Sequence, residues 1–158
     1  MLLLMTIALL GAEPNVTHAE AESAMKRFVA VWSTCEPTKV RDIIAYPHTV
    51  HHGNRSAVTV YKDRSEFDID GRASYYATLK GRGYDHSEVV ATKLLYATPL
   101  EATVLVEWRR VTAEGKELLR AESIYIISRE TPNDELRVQI RHFPRRKVRS
   151  QQRDATSS

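Results

Sequence analysis

Three histidines within five residues, His48, His51 and His52, form the densest concentration of titratable chemistry in this sequence. An imidazole changes charge near neutral pH, so it can take a proton from a substrate carbon or a water and return it. If residues 48–52 are a strand, alternation sets His48 and His52 on one face and turns His51 away. That arrangement points to His52 as general base or acid, with His48 or Tyr46 as a polar helper. The competing reading is a hairpin with partly exposed histidines and no chemistry, because nothing else in the sequence pins a base. Metal binding fits poorly. Histidines four apart on a strand lie ~13 Å from one another, and no carboxylate cluster accompanies them. No metal and no cofactor is expected. Gly81-Arg82-Gly83 follows a helix rather than opening one, contrary to a phosphate loop. Cys35 is the single cysteine, which excludes an internal disulfide and a paired-cysteine metal site. Glu36 beside it disfavours a thiolate.

A second set of residues reads as a pocket. Phe28, Trp32, Tyr76, Trp108 and Tyr125 could line an apolar cavity for a small molecule. Core packing is the competing reading, and it suits Phe28 and Trp32 best. Trp108 and Tyr125 are stronger candidates, because a buried Trp or Tyr wants a polar partner. Arg110 follows Trp108 on the same face. It either holds a carboxylate at the pocket mouth or is a solvent-facing strand end. In Arg141-His142-Phe143, alternation puts His142 with Val138 and Ile140, so His142 either reaches the pocket or is an ordinary strand-end histidine.

The elements that must hold these residues are clearer than the chemistry. Thr17-His18-Ala19-Glu20 is a capping box, with Val16 placed as a hydrophobic staple. Ala21, Ala24, Met25, Phe28, Val29 and Trp32 then recur on one helical face, and the helix ends near Cys35. Pro37 suits the first position of a short second helix, which must stop before Pro47. His48–His52 and Ala57–Tyr61 flank Gly53-Asn54 and read as a hairpin. Ser65-Glu66-Phe67-Asp68 suggests a capped turn, and a third helix over 72–80 would stop at Gly81. Strands follow over 86–96, 102–111, 116–128 and 135–143. Glu114-Gly115 and Pro132-Asn133-Asp134 are the later turns, and such short connections make antiparallel neighbours. Val104, Val106, Trp108 and Arg110 share one face, as do Leu119, Ala121, Ser123, Tyr125 and Ile127. These less charged faces should meet the helices. The opposite face mixes apolar and charged residues, a composition compatible with a homodimer contact.

This order resembles the nuclear transport factor 2-like superfamily, including its ketosteroid isomerase-like and SnoaL-like members. The resemblance covers about residues 17–143. It implies an α+β fold, a cone-shaped curved antiparallel sheet packed on three helices of the N-terminal half, of the kind also called cystatin-like. It also implies a small, apolar ligand and a cofactor-free isomerase, cyclase, dehydratase or hydrolase, or else a non-catalytic binding or dimerisation domain. Lys26-Arg27-Phe28 stands where the ketosteroid isomerases carry a tyrosine motif, and Thr49-Val50-His51-His52 where they carry a general-base aspartate. Phe28 cannot donate to an oxyanion, and near the second oxyanion acid Ser123 is the only polar residue on the face turned to the helices. The location of a pocket carries over; the isomerase chemistry does not.

Composition bounds the rest. At 158 residues the chain suits one domain with a real core. Residues 144–158 carry a net charge of +4, so the other 143 sum to −1 out of the total of +3. The basic charge belongs to a polar tail expected to be disordered. No basic face for nucleic acid is evident. Residues 1–14 read as an apolar extension or weak signal peptide without a basic start, and Leu2–Leu10 is too short to span a bilayer. The expected organisation is that extension, a domain over 15–143 and the tail. The expected location is cytoplasmic, or exported if residues 1–12 act as a signal.

Overall fold

The computed structural model describes residues 13–52 and 57–143. The N-terminal apolar stretch, the Gly53-Asn54 turn and the basic tail lie outside the described residues.

Helix α1 (His18–Ser33) begins at the capping box. The Thr17 side chain accepts from the Glu20 amide at 3.2 Å, and the Glu20 carboxylate accepts from the Thr17 amide at 2.8 Å. Two orphan donors are thereby satisfied, and the entry residue Val16 is buried. The expected apolar stripe is the buried stripe: Ala21, Ala24, Met25, Phe28, Val29 and Trp32. Burying each large member contributes roughly 1.5–3 kcal/mol. Helix α2 (Pro37–Ile43) has its proline in the first turn. A 3-10 turn spans Arg64–Glu66 and is capped by Asp63, not by Ser65. Helix α3 spans Ile69–Gly81, three residues earlier than the sequence suggests. Its cap is Asp68, whose carboxylate accepts from the Gly71 amide at 2.8 Å. A Cβ at Gly71 would meet that carboxylate at 2.0 Å, so the cap requires glycine there. The left-handed residue beyond the helix is Gly83 (φ 81°), two positions after the expected stop.

Six strands form one sheet: β1 (Ile44–His51), β2 (Val58–Tyr61), β3 (His86–Ala97), β4 (Glu101–Val111), β5 (Glu117–Ser128) and β6 (Arg137–His142). Their spatial order is β2-β1-β6-β5-β4-β3. The chain is α+β, with an N-terminal half of helices and one curved sheet. Its sheet departs from the purely antiparallel expectation at one place, where β1 runs parallel to β6. That contact also explains why β1 begins at Ile44 rather than His48, since Ile44 pairs with Val138.

Alternation sorts β4 and β5 as the sequence implies. Val104, Val106, Trp108, Ser123, Tyr125 and Ile127 are all buried toward the helices. In β6 it fails. Ile126 pairs with Ile140 but Ile127 pairs with Val138, leaving Gln139 as an extra residue. This β-bulge reverses the side-chain parity of the residues after it. Val138 and Arg141 are therefore inside, and His142 is outside, its ring 5.7 Å from that of His51.

Candidate functional site

Between the inner face of the sheet and helices α1 and α3 lies a cavity of about 820 Å³. Each wall follows from one element's periodicity. The last turns of α1 supply Trp32, and one face of α3 supplies Arg72 and Tyr75. The end of β1 and the residue beyond it supply Val50 and His52, β2 supplies Tyr61, and β4 supplies Trp108 and Arg110. Leu119 and Ala121 come from β5, and Arg141 and Phe143 from the end of β6 and the residue beyond it. The volume falls in the ordinary range for a small-molecule site.

His52, Trp32, Trp108 and Arg110 therefore meet in one cavity. His48 does not join them. It shares the inner face with Val50, as alternation requires, but it is buried deeper, its ring stacked 6.4 Å from Tyr61 at 9°. Burial pushes its pKa down to about 3, and the charge of Arg141 adds to the effect. An imidazole held neutral in this way is a poor proton acceptor near pH 7. The role of polar helper is thus withdrawn from His48. Tyr46 is also elsewhere: its hydroxyl donates to the Arg41 carbonyl at 3.0 Å, and burial pushes it up to about 12.

Phe28, Tyr76 and Tyr125 form the support behind the wall. Phe28 meets Tyr125 edge-on at 6.0 Å, and Trp32 meets Tyr76 edge-on at 5.2 Å. Burial holds the Tyr76 phenol above its usual range, and its hydroxyl has no hydrogen-bond partner. Trp108 has the polar partner expected of a buried indole, donating to Ser123 Oγ at 3.0 Å. Cys35 is a thiol held above its usual pKa by burial, consistent with an inert side chain.

Two residues of the site escape sequence reasoning, Arg72 and Arg141. Arg141 is 6% exposed. Its guanidinium carbon lies 4.4 Å from the Trp32 ring centroid, 4.9 Å from Phe143, 5.3 Å from Phe28 and 5.8 Å from Tyr125. Desolvation lowers its pKa. Arg72 stacks on Trp32 at 4.9 Å and on Phe67 at 5.5 Å. Arg110 stacks on Trp108 at 5.1 Å and donates to the Tyr75 hydroxyl at 2.7 Å. No sequence signal marks Arg141, because the regular alternation Leu136, Val138, Ile140, His142 points to the wrong neighbour. Arg72 shows only helical spacing to Tyr76. Among the described residues, no group of three or more His, Cys, Asp or Glu could hold a metal ion, and no helix is long and apolar enough to cross a membrane.

The fold has many structural relatives. A Xanthomonas campestris putative calcium/calmodulin dependent protein kinase II association domain is similar at a TM-score of 0.58, with 12% identity over 84% of this chain and 90% of that one. A Nostoc punctiforme protein of unknown function with a cystatin-like fold has a TM-score of 0.57 and 16% identity, covering 80% of this chain and 88% of its own. A Catenulispora acidiphila protein in complex with S-DNPA has a TM-score of 0.55 and 8% identity, covering 78% and 89% respectively. At such identities these likenesses speak for the fold alone. No curated protein sequence matches. The family model described as NTF2-like protein (DUF6841) matches residues 19–142, and with the helices, curved sheet and inward-facing cavity already in place, the chain belongs to that NTF2-like family.

Proposed function

We propose that this chain binds a small, largely apolar molecule in the cavity between the sheet and helices α1 and α3. The observation that carries this reading is the cavity of about 820 Å³, walled by Trp32, Tyr61, Tyr75, Trp108 and Phe143 and with His52 at its β1 side. Flat rings offer contact area, and the few polar groups among them fix orientation. The related Catenulispora acidiphila protein, whose structure holds S-DNPA, supports the same use of the fold.

The test exploits the two tryptophans in the wall. Titrating the full chain with a panel of flat apolar molecules should quench tryptophan emission saturably and raise the melting temperature by mass action. Ala121→Trp, which fills the cavity from β5, should remove both responses while leaving the circular dichroism unchanged. If no compound of the panel produces either response, the reading fails.

A catalytic version rests on His52 at the cavity wall. In it, His52 moves a proton for an isomerase, cyclase, dehydratase or hydrolase acting on a carbonyl, epoxide or polyketide-like molecule. His52→Ala should then abolish turnover and keep ligand-induced quenching; full retained turnover removes His52 from the reaction. We also propose residues 15–143 as the working unit, cytoplasmic unless residues 1–12 act as an export signal. A homodimer through the outer sheet face, where Val58, Val60 and Leu118 are exposed, is proposed as well. Light scattering of the eluting protein should give twice the monomer mass, and a monomer mass at all concentrations would dismiss the pairing.

A further inference from the structure

Arginine is tolerated in a protein interior when its charge is matched and its five in-plane N–H donors find acceptors. In this cavity the faces of the guanidiniums are matched and their edges are not. Arg141 is sandwiched among four aromatic rings, which stabilise a cation through their faces. Those rings accept no hydrogen bond from its edge. The Tyr125 hydroxyl can accept from it, and its Nε has no partner among the described residues. Arg110 shows the same pattern, with Nη2 on Tyr75 and an unpartnered Nε. Among the described residues, no carboxylate forms an ion pair with Arg141, Arg110 or Arg72. The contrast with Arg27, Arg41, Arg64, Arg109, Arg120 and Arg129, each paired with an acid, shows that acids are not scarce in this chain.

We infer that the cavity recognises a monocarboxylate on a flat apolar body, with Arg141 as the anchor that meets the carboxylate edge-on. This deepens the binding reading above and rests on it. A planar guanidinium surrounded by rings has its in-plane donors left for a ligand, and those donors match the two oxygens of a carboxylate. The charge of the wall fits an anion: Arg72, Arg110 and Arg141 line it with Asp68, while Glu122 alternates with inward-facing Ala121 and Ser123 and turns its carboxylate to the outer face. Asp68 is already engaged as the cap of α3. The row across the sheet sets the depth, because Arg141 pairs with Val50 on one side and Tyr125 on the other. A carboxylate there would leave its apolar body among Trp32, Tyr61, Trp108 and Phe143. The site would place ligand selectivity in a residue whose burial destabilises the empty protein.

Calorimetric titration of the full chain with naphthoate, the neutral naphthamide of the same shape and naphthyl phosphate tests this. Naphthoate should bind at least about tenfold tighter than the amide, a difference of about 1.4 kcal/mol, and tighter than the phosphate. Arg141→Met should reduce that preference to within about twofold and leave the melting temperature of the empty protein unchanged or raised. A buried charge replaced by an apolar chain of similar length is frequently neutral or stabilising. Arg141→Lys is the second variant should the first not fold; it keeps the charge, loses the planar fork, and should lose most of the preference. Equal binding of acid and amide overturns the carboxylate inference and leaves the binding reading standing. Tighter binding of the phosphate overturns the carboxylate assignment as well. Binding of none of the three removes both. Preference intact in Arg141→Met alongside a melting temperature several degrees lower assigns Arg141 to the core and overturns its role as anchor.

Discussion

Arg109 and Arg120 stand on the outer face of β4 and β5, directly opposite one another. Arg109 reaches Glu88 at 2.6 Å, and Arg120 reaches Glu107 at 2.8 Å and Glu117 at 2.9 Å. On the inner face, Arg110 of β4 and Arg141 of β6 have rings for neighbours and, among the described residues, no ion-pair partner. Two like charges placed across a sheet repel unless acids separate them. The outer face solves this with an interleaved ladder in water, where each pair contributes little and salt weakens it further. The inner face, where Arg110 and Arg141 are not cross-strand partners, holds its arginines by cation–π stacking out of water, where each contact is stronger but the donors at the edge stay open. One arrangement is self-sufficient and the other awaits a partner.

The contrast can be broken from either side. Trp32→Ala should have the largest effect, since Trp32 covers both Arg72 and Arg141 and packs on Phe28 and Tyr76. A loss of roughly 3–5 kcal/mol is expected in chemical denaturation; a change under about 1 kcal/mol would show that the rings do not hold the inner arginines. His48 probes the same dry face by pH. Its folded pKa of about 3 lies below the ordinary 6.5, so the unfolded chain binds the proton first. The stability it contributes is complete above pH 6.5 and is lost as pH falls toward 3, on the order of 5 kcal/mol in all. His48→Phe should flatten that part of the stability profile; an unchanged slope would refute the buried neutral imidazole. Thr17→Ala removes the capping box far from the cavity and should cost about 1 kcal/mol with ligand binding untouched. Arg120→Gln should have the smallest effect, within about 0.5 kcal/mol and vanishing in high salt. A larger penalty would mean that the outer ladder is no mere surface network.

Much of the fold is legible in the sequence, and the failures have local causes. The capping box and the stripe from Ala21 to Trp32 specify α1 because helix periodicity and cap chemistry agree there. Alternation places Trp108 and Tyr125 on the inner face because their strands are long enough to average out irregularities. Asp68 is hard to see as the cap of α3, since Gly71 reads as a helix breaker until its proximity to the Asp68 carboxylate is known. The parallel contact of β1 with β6 joins residues some ninety positions apart, which no local pattern encodes. His52 sits on the wall as its spacing implies, whereas His48, on the same face, is too deep to titrate usefully. Arg141 is hidden by a single inserted residue that no composition or propensity marks.

That inserted residue makes the lining of the cone depend on how one strand pairs as well as on which residues it carries. Removing Gln139 would close the bulge with Arg141 still paired to Tyr125 and still inside; pairing Gln139 regularly would instead turn the guanidinium out to water and the imidazole of His142 in. Whether a permanent cation or a titratable base stands at the heart of such a cavity is thus decided by the pairing of one residue that itself lines nothing.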